Sequence, residues 1–289
     1  MATGSRIGRA VCVVSLCLAC LAAPVGAVDK QVTALRKNGA ISLDGDLSEA
    51  IWDRASKAGA FWQRLPKEGA EPEWPTEFRV VYDNDAIYIG VQAFDSEPGK
   101  IRSMLTRRDV ESASDWLLVG IDSYHDKRTA FAFAINPAGV QRDFLIFNDS
   151  ETDASWDAVW TAAAGVNETG WSAEFRIPLN QLRFSPDEHK VWGLQVVRTV
   201  GRTNEQSVWS PWPRNGPRMV SRFGEVRGLD GITTPRRLEL LPYTVGAIGF
   251  GNVAAGDPLN SDVASSGNIG LDFEYGLGNN FTLGRSNKI

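Results

Sequence analysis

Groups that could do catalysis are scarce in this sequence. It has two histidines, His125 and His189. His125 lies in Asp122-Ser123-Tyr124-His125-Asp126, which reads as a loop between strands, and His189 in a polar loop beside Glu188; both are expected to be exposed and inert. No Gly-x-Ser-x-Gly elbow, phosphate-binding loop or His-Glu-x-x-His motif occurs. A glycosidase needs two carboxylates facing each other about 5–10 Å apart. Glu174, Asp143 and Asp157 are available, but the sequence pairs none of them. Glu174 alternates onto the wet face of a strand, where a solvated or Arg-paired carboxylate is expected. Clustered hard oxygens are more evident: Asp44 and Asp46 around Gly45, Asp83 and Asp85 around Asn84, and Asp149 with Glu151 and Asp153. Oxygens of this kind suit calcium. The spacing matches no EF-hand loop, and Asp-rich turns also form for conformational reasons alone. A structural calcium is therefore a secondary expectation, and nothing in the sequence requires a cofactor.

The elements that must position these groups begin after a targeting segment. Arg6 and Arg9 precede an uncharged run over residues 10–21, followed by Pro24 and the small-residue site Val25-Gly26-Ala27. That is the pattern of a secretory signal over residues 1–27. The run is shorter than the roughly 20 apolar residues of a spanning helix, and Cys17 fits poorly with a lipidated Cys20. The expected location is the periplasm or outer membrane of a Gram-negative-type cell. All three cysteines (Cys12, Cys17 and Cys20) lie inside the signal, so the mature chain is expected to have no disulfide, thiolate zinc site or thiol nucleophile. Loss of Arg6 and Arg9 takes the formal charge from −5 to −7. An acidic chain without a concentrated basic patch argues against nucleic acid as a partner.

Residues 28–39 read as a linker and residues 40–231 as one β-rich domain. Trp171, Ala173, Phe175 and Ile177 alternate with Ser172, Glu174 and Arg176, the period of a strand covering a core. Pro178 removes a ladder donor and ends it. Residues 77–82 and 86–94 alternate around Asp83-Asn84-Asp85 and predict a hairpin. Residues 116–121, 130–135, 140–147 and 191–200 predict further strands, with Asn136-Pro137-Ala138-Gly139 as a turn. Ile41-Ser42-Leu43 predicts a short strand, and residues 49–52 a short helix capped by Ser48. With no long amphipathic helix, the fold class is all-β, a jelly-roll-like sandwich rather than an α/β fold.

Residues 232–289 change character. After Thr233-Thr234-Pro235, residues 237–250 and 267–276 alternate strongly, with glycine and charge on one face, and a third strand starts at Phe281. This is the pattern of outer-membrane barrel strands. A barrel needs about eight, so the expectation is a linker and the first strands of an incomplete barrel in a fragment of a longer protein. The alternative is a small extra sheet packed on the sandwich.

Several motifs in this order resemble the family 9 carbohydrate-binding module over about residues 41–229. They are Ile41-Ser42-Leu43-Asp44-Gly45 with Trp52, Phe78-Arg79-Val80-Val81-Tyr82-Asp83 with Ile87-Tyr88-Ile89, and Asp115 leading a strand to Asp122. Phe133 through Gly139 and Gly170-Trp171 through Ile177-Pro178 complete the set. Arg107-Arg108-Asp109, Trp209-Ser210-Pro211-Trp212-Pro213 and Ser221-Arg222-Phe223-Gly224 resemble the group in which this domain precedes an outer-membrane barrel. The resemblance implies a sandwich that binds sugar, often attached to enzymes that degrade polysaccharides. Sugars stack their apolar face on aromatic rings, while carboxylates, amides and Arg bond the hydroxyls. The candidates so implied are Trp209 and Trp212, with Pro211 and Pro213 holding them in an irregular loop, and then Trp156 and Trp160. Arg108, Asp109, Asn136, Asp143 and Arg214 supply candidate polar contacts. Trp52, Trp171 and Trp192 read as core.

Two departures weaken the inheritance. The strand after Asp115 tends in the family to carry an acidic contact, where Leu117 and Leu118 stand here. The strand before Asn136 tends to carry an Arg, where Ala132 and Ala134 stand. Three readings remain: carbohydrate binding at the cell envelope in support of polysaccharide catabolism or uptake; a periplasmic docking or gating domain of an outer-membrane barrel that no longer binds sugar; and part of a hydrolase acting on O-glycosyl compounds.

Overall fold

The computed structural model describes residues 30–184, 191–216, 219–233, 238–251, 263–277 and 281–285. The signal over residues 1–27 and His189 lie outside them. The first strands are β1 (Gln31–Thr33) and β2 (Leu35–Arg36); after helix α1 (Ala50–Arg54) come β3 (Trp62–Leu65), β4 (Thr76–Tyr82) and β5 (Ala86–Phe94). Next are β6 (Trp116–Asp122), β7 (Ala130–Ile135), β8 (Gln141–Phe147), β9 (Glu151–Asp153), β10 (Thr161–Asn167) and β11 (Gly170–Pro178). β12 (Trp192–Val200), β13 (Glu205–Val208) and β14 (Gly224–Arg227) complete the sandwich, and β15 (Leu238–Phe250), β16 (Val263–Leu277) and β17 (Phe281–Arg285) come after it.

Two sheets face each other. The nine-stranded one has the order β1-β14-β12-β6-β7-β8-β9, with β13 joining β12 to β3; the five-stranded one runs β10-β11-β5-β4-β2. The predicted hairpin is the β4–β5 pair, with Thr76 opposite Ala93 and Tyr82 opposite Ile87. Trp171, Ala173, Phe175 and Ile177 all enter the core between the sheets, against Leu117, Val119, Ile121, Phe133, Leu194 and Val196. Phe133, Trp160 and Phe175 form a ring stack across it, with centroids 5.2 and 5.9 Å apart. The segment expected as a linker joins the sheets. β1 runs parallel to β14 in one and β2 parallel to β4 in the other, so six residues close one side of the sandwich.

Residues 41–43 form no strand, and α1 is capped by the backbone at Glu49 with no side-chain hydrogen bond, so Ser48 is not its cap. This segment instead lies over the outer face of the five-stranded sheet. Leu47 and Trp52 fill the place where a side chain at Gly90 would stand, and an added Cβ there would be 2.8 Å from Leu47 Cδ2. Gly45, at φ +88°, presses so closely on β10 that an added Cβ would be 2.5 Å from the carbonyl carbon of Ala164.

β15, β16 and β17 form a separate antiparallel sheet of three strands, and no sheet among the described residues closes on itself. No helix among them is long and apolar enough to cross a membrane, which says nothing about crossing by strands.

Candidate functional site

Two clefts open on the outer face of the nine-stranded sheet, where side chains alternate away from the core. The first, about 530 Å³, has Trp62 and Arg64 of β3 on one wall and the loop from Ser210 to Pro213 on another; Phe223, Glu225, His125 and Lys127 close it. The Arg64 guanidinium lies 4.8 Å from the Trp212 ring centroid. It donates from Nη1 to Gln206 Oε1 (2.9 Å) and from Nη2 to the Arg214 carbonyl (3.4 Å). Trp62 is half-buried and packs with Trp212, Val197 and Val208. Burial lowers the pKa of the Lys30 ammonium and of the His125 imidazole, the latter despite Glu225 Oε1 at 3.7 Å.

The second cleft, about 560 Å³, has Leu118, Ala134, Phe144 and Val197 along its floor and Trp116, Arg142 and Gln206 among its walls. Arg142 stands 5.5 Å from the Trp116 ring centroid and pairs with Glu111 at 3.3 Å. The clefts are neighbours. Leu118 packs both with Trp116 and with Trp212, and Gln206 of the second cleft accepts the bond from Arg64 of the first.

The expected contacts divide. Trp212 lines the first cleft; Arg214 does not, its backbone N–H donating to Glu68 Oε1 (3.2 Å) and its guanidinium to the Pro66 carbonyl (3.3 Å). Trp212 is 9 % exposed and partly covered by Arg64, so little of its ring is free. Trp209 does not belong there. It is 1 % exposed and meets Phe78 edge-on at 4.9 Å, because its backbone N–H still pairs with the Val196 carbonyl and carries the ring inward. The expectation that Pro211 and Pro213 hold both indoles in a free loop fails for it.

Trp160 is also a core residue, and Trp156 packs on Phe131 and Phe133. Asp143, buried, accepts hydrogen bonds from Trp160 Nε1 (3.1 Å), the Ala158 N–H (2.7 Å) and the Arg108 guanidinium, and its own N–H donates to Asp109 Oδ1 (3.2 Å). Arg108, Asp109, Asp143 and Trp160 are thus one latch that pins two loops to β8. Asn136 is fully buried; its amide donates to the Met104 carbonyl and accepts from the N–H groups of Ala138 and Val140. All of these polar groups are occupied.

A family model described as carbohydrate family 9 binding domain-like matches residues 43–227. The chain belongs to that family. A family 9 carbohydrate-binding module from Caldicellulosiruptor kristjanssonii, solved with cellotriose, aligns at 16 % identity and a TM-score of 0.50 over 68 % of this chain and 93 % of its own. A structure of a family 9 module from the same organism with glucose aligns at 16 % identity and a TM-score of 0.50, covering 71 % of this chain and 100 % of its own. A protein from Bacteroides uniformis aligns at 11 % identity and a TM-score of 0.55 over 68 % of this chain and 98 % of its own. At these identities the likeness shows the fold alone. No curated protein matches.

In this family 9 domain Leu118 and Ala134 lie on the floor of the second cleft, which is apolar there. Trp62 is the cleft residue missed in the sequence. Its signal was the run Phe61-Trp62-Gln63-Arg64-Leu65, in which Gln63 turns inward to bond Glu205 (2.7 Å) and so aims Trp62 and Arg64 outward.

Glu174 overturns another expectation. Its face of β11 is not wet, because residues 44–52 cover it. The carboxylate is fully buried and accepts from the N–H groups of Asp44 (3.1 Å) and Gly45 (3.0 Å) and from Trp52 Nε1 (3.2 Å). Burial, helped by the charge of Glu49, raises its pKa to about 7.

Several of the calcium candidates are engaged by the protein's own groups. Asp83 Oδ2 is 2.6 Å from the Lys37 ammonium, and its Oδ1 accepts from the N–H groups of Asp85 and Ala86. Asp44 Oδ1 accepts from the Asp46 N–H, and Asp149 takes two N–H groups and the hydroxyl of Ser221. Among the described residues no three acidic, His or Cys side chains converge on a metal-sized site.

Proposed function

We propose that this domain binds saccharide in the first cleft, at the cell envelope and in support of polysaccharide uptake or breakdown. One observation carries the reading: a half-buried indole (Trp62), a second indole (Trp212) and a guanidinium (Arg64) line one cleft on the outer face of the larger sheet. A pyranose offers an apolar face to Trp62 and hydroxyls to Arg64 and Glu68. Glu174 and Asp143 are buried among their own donors, so the reading needs no glycosidase pair. Titration calorimetry of the full chain with oligosaccharides tests it. Trp62→Ala should weaken binding by roughly 1–3 kcal/mol, the range for loss of a stacked aromatic and its buried area. Unaltered affinity would move the site elsewhere.

A second reading concerns the three strands C-terminal to the sandwich: β15–β17 as the first strands of an outer-membrane barrel in a longer protein, with the domain on its periplasmic side. The alternation of β15 and β16 favours it. Their cross-strand register puts Leu240, Pro242 and Thr244 beside Phe273, Leu271 and Ile269 on one face. Ile269 is 90 % exposed and Phe250 81 %. At 13 and 15 residues both strands exceed the 9–11 or so that cross a bilayer. In this arrangement the apolar floor at Leu118 and Ala134 suits a docking surface, should glycan binding be absent.

A further inference from the structure

We infer that the first cleft takes an anionic saccharide, a uronate-bearing oligosaccharide, rather than a neutral one; this rests on the saccharide reading above and names its ligand class. The cleft is lined by Lys30, Arg64, Lys127 and Arg222 against Glu68 and Glu225, on a chain whose formal net charge is −5. Not all of these charges are free. Lys30 Nζ is taken by the carbonyls of Gly59 (3.3 Å) and Ala60 (2.7 Å). Glu225 is held by Arg227, with Oε2 accepting from Nε (3.0 Å) and Nη2 (2.7 Å). Glu68 favours the charged form of Arg64 against burial. Lys127 and Arg222 remain, exposed and without an ion pair among the described residues.

Backbone geometry at Lys127 is a separate observation. His125 and Lys127 are held at φ +54° and +59°, a region in which Asn, Asp and His are enriched and Lys is uncommon. The loop is pinned there from below. Buried Asp122 accepts from the N–H groups of Asp126 (3.2 Å) and Lys127 (2.8 Å), and Asp126 accepts from those of Arg128 and Thr129. The loop's own hydrogen bonds thus fix the backbone that carries Lys127 at the cleft. Arg64 adds a guanidinium whose Nε is buried and has no partner. A neutral sugar can accept hydrogen bonds from these cations through its hydroxyls but leaves their charge uncompensated. A carboxylate gains from each, and a positive cleft on a negative molecule also steers it in.

The test is calorimetry of the full chain with trigalacturonate, cellotriose and a sulfated disaccharide at low and high salt. Trigalacturonate should bind at least about tenfold tighter than cellotriose and lose most of that advantage in high salt, where charges are screened. The double variant Lys127→Asn, Arg222→Gln should abolish the preference with an unchanged unfolding temperature; Asn tolerates the positive φ at 127. Equal, salt-insensitive binding of cellotriose overturns the charge inference and leaves the saccharide reading intact. Preference for the sulfated probe overturns the uronate assignment. Retention of the preference by the double variant removes it from this cleft, and no binding of any glycan removes the saccharide reading as well.

Discussion

Glu174 shows how far one side chain's chemistry depends on what covers it. A carboxylate with three donors would ordinarily stay charged, but this one is sealed beneath residues 44–52 and burial wins, lifting its pKa from 4.5 to about 7. Asp122, buried under the loop at the cleft mouth, moves the same way, to about 6. A folded-state pKa above the unfolded one means that the folded chain holds its proton longer. The stability this brings is complete below the unfolded values, 3.8 for Asp122 and 4.5 for Glu174, and is lost as pH rises through about 6 and about 7. Urea unfolding should therefore show stability falling between pH 5 and 8, by roughly 1–3 kcal/mol for Glu174. Glu174→Gln should flatten that part of the profile. His125, lowered from 6.5 by burial, adds stability as pH rises through the same window, so the decisive reading is the difference between wild type and Glu174→Gln: no difference would mean that the three donors hold the ionised form after all. The carboxylates whose pKa values are lowered, Asp83, Asp95, Asp149 and Asp153, act in more acidic solution, whereas Asp115, Asp143 and Glu205 are raised by burial in the same sense as Glu174.

Among elements, the strands that cover the core were legible and the segments that cover the strands were not. β4, β5 and β11 follow directly from alternation, because a period of two with one buried face has few other solutions. β10 was missed because Thr161-Ala-Ala-Ala-Gly-Val-Asn has no contrast between faces and lies at a sheet edge. β1 and β2 are too short to show a period. The burial of Glu174, and of Trp209 beside exposed prolines, depends on contacts with distant residues, Gly45 and Phe78, that local spacing does not record. The two indoles on either side of the sheet give a paired prediction. Trp209→Ala should cost about 3–5 kcal/mol of stability as a large-to-small core change, read as a drop in unfolding midpoint. Trp62→Ala should leave that midpoint within about 1 kcal/mol, because its ring already faces a cleft, while glycan affinity falls. Equal destabilisation by both would make Trp62 a core residue and remove the platform from the first cleft.

On the scale of the whole chain, a closed sandwich is succeeded by a sheet that buries neither face in itself. The sandwich ties its own ends together: β1 and β14 pair at one edge, and Leu229 and Ile232 pack back into the core just before the chain leaves it. The three-stranded sheet has its alternation in the opposite sense from a soluble edge. Ile248, Phe250, Ile269 and Leu271 are more than half exposed. On the other face Tyr243 lies so close over Gly270 that an added Cβ would be 2.0 Å from the ring carbon Cζ. A soluble protein rarely leaves such a band bare, and lipid is the solvent in which it costs nothing. The proposed barrel strands should therefore carry the full chain onto phosphatidylcholine vesicles in a flotation assay. Ile269→Lys should weaken that association by about 2–4 kcal/mol if the residue sits near the bilayer midplane, and by less than about 1 if it sits at the interface. A full chain that stays in the aqueous fraction, with the thiol of an Ile269→Cys variant shielded from a water-soluble reagent, would instead mean that protein covers this face.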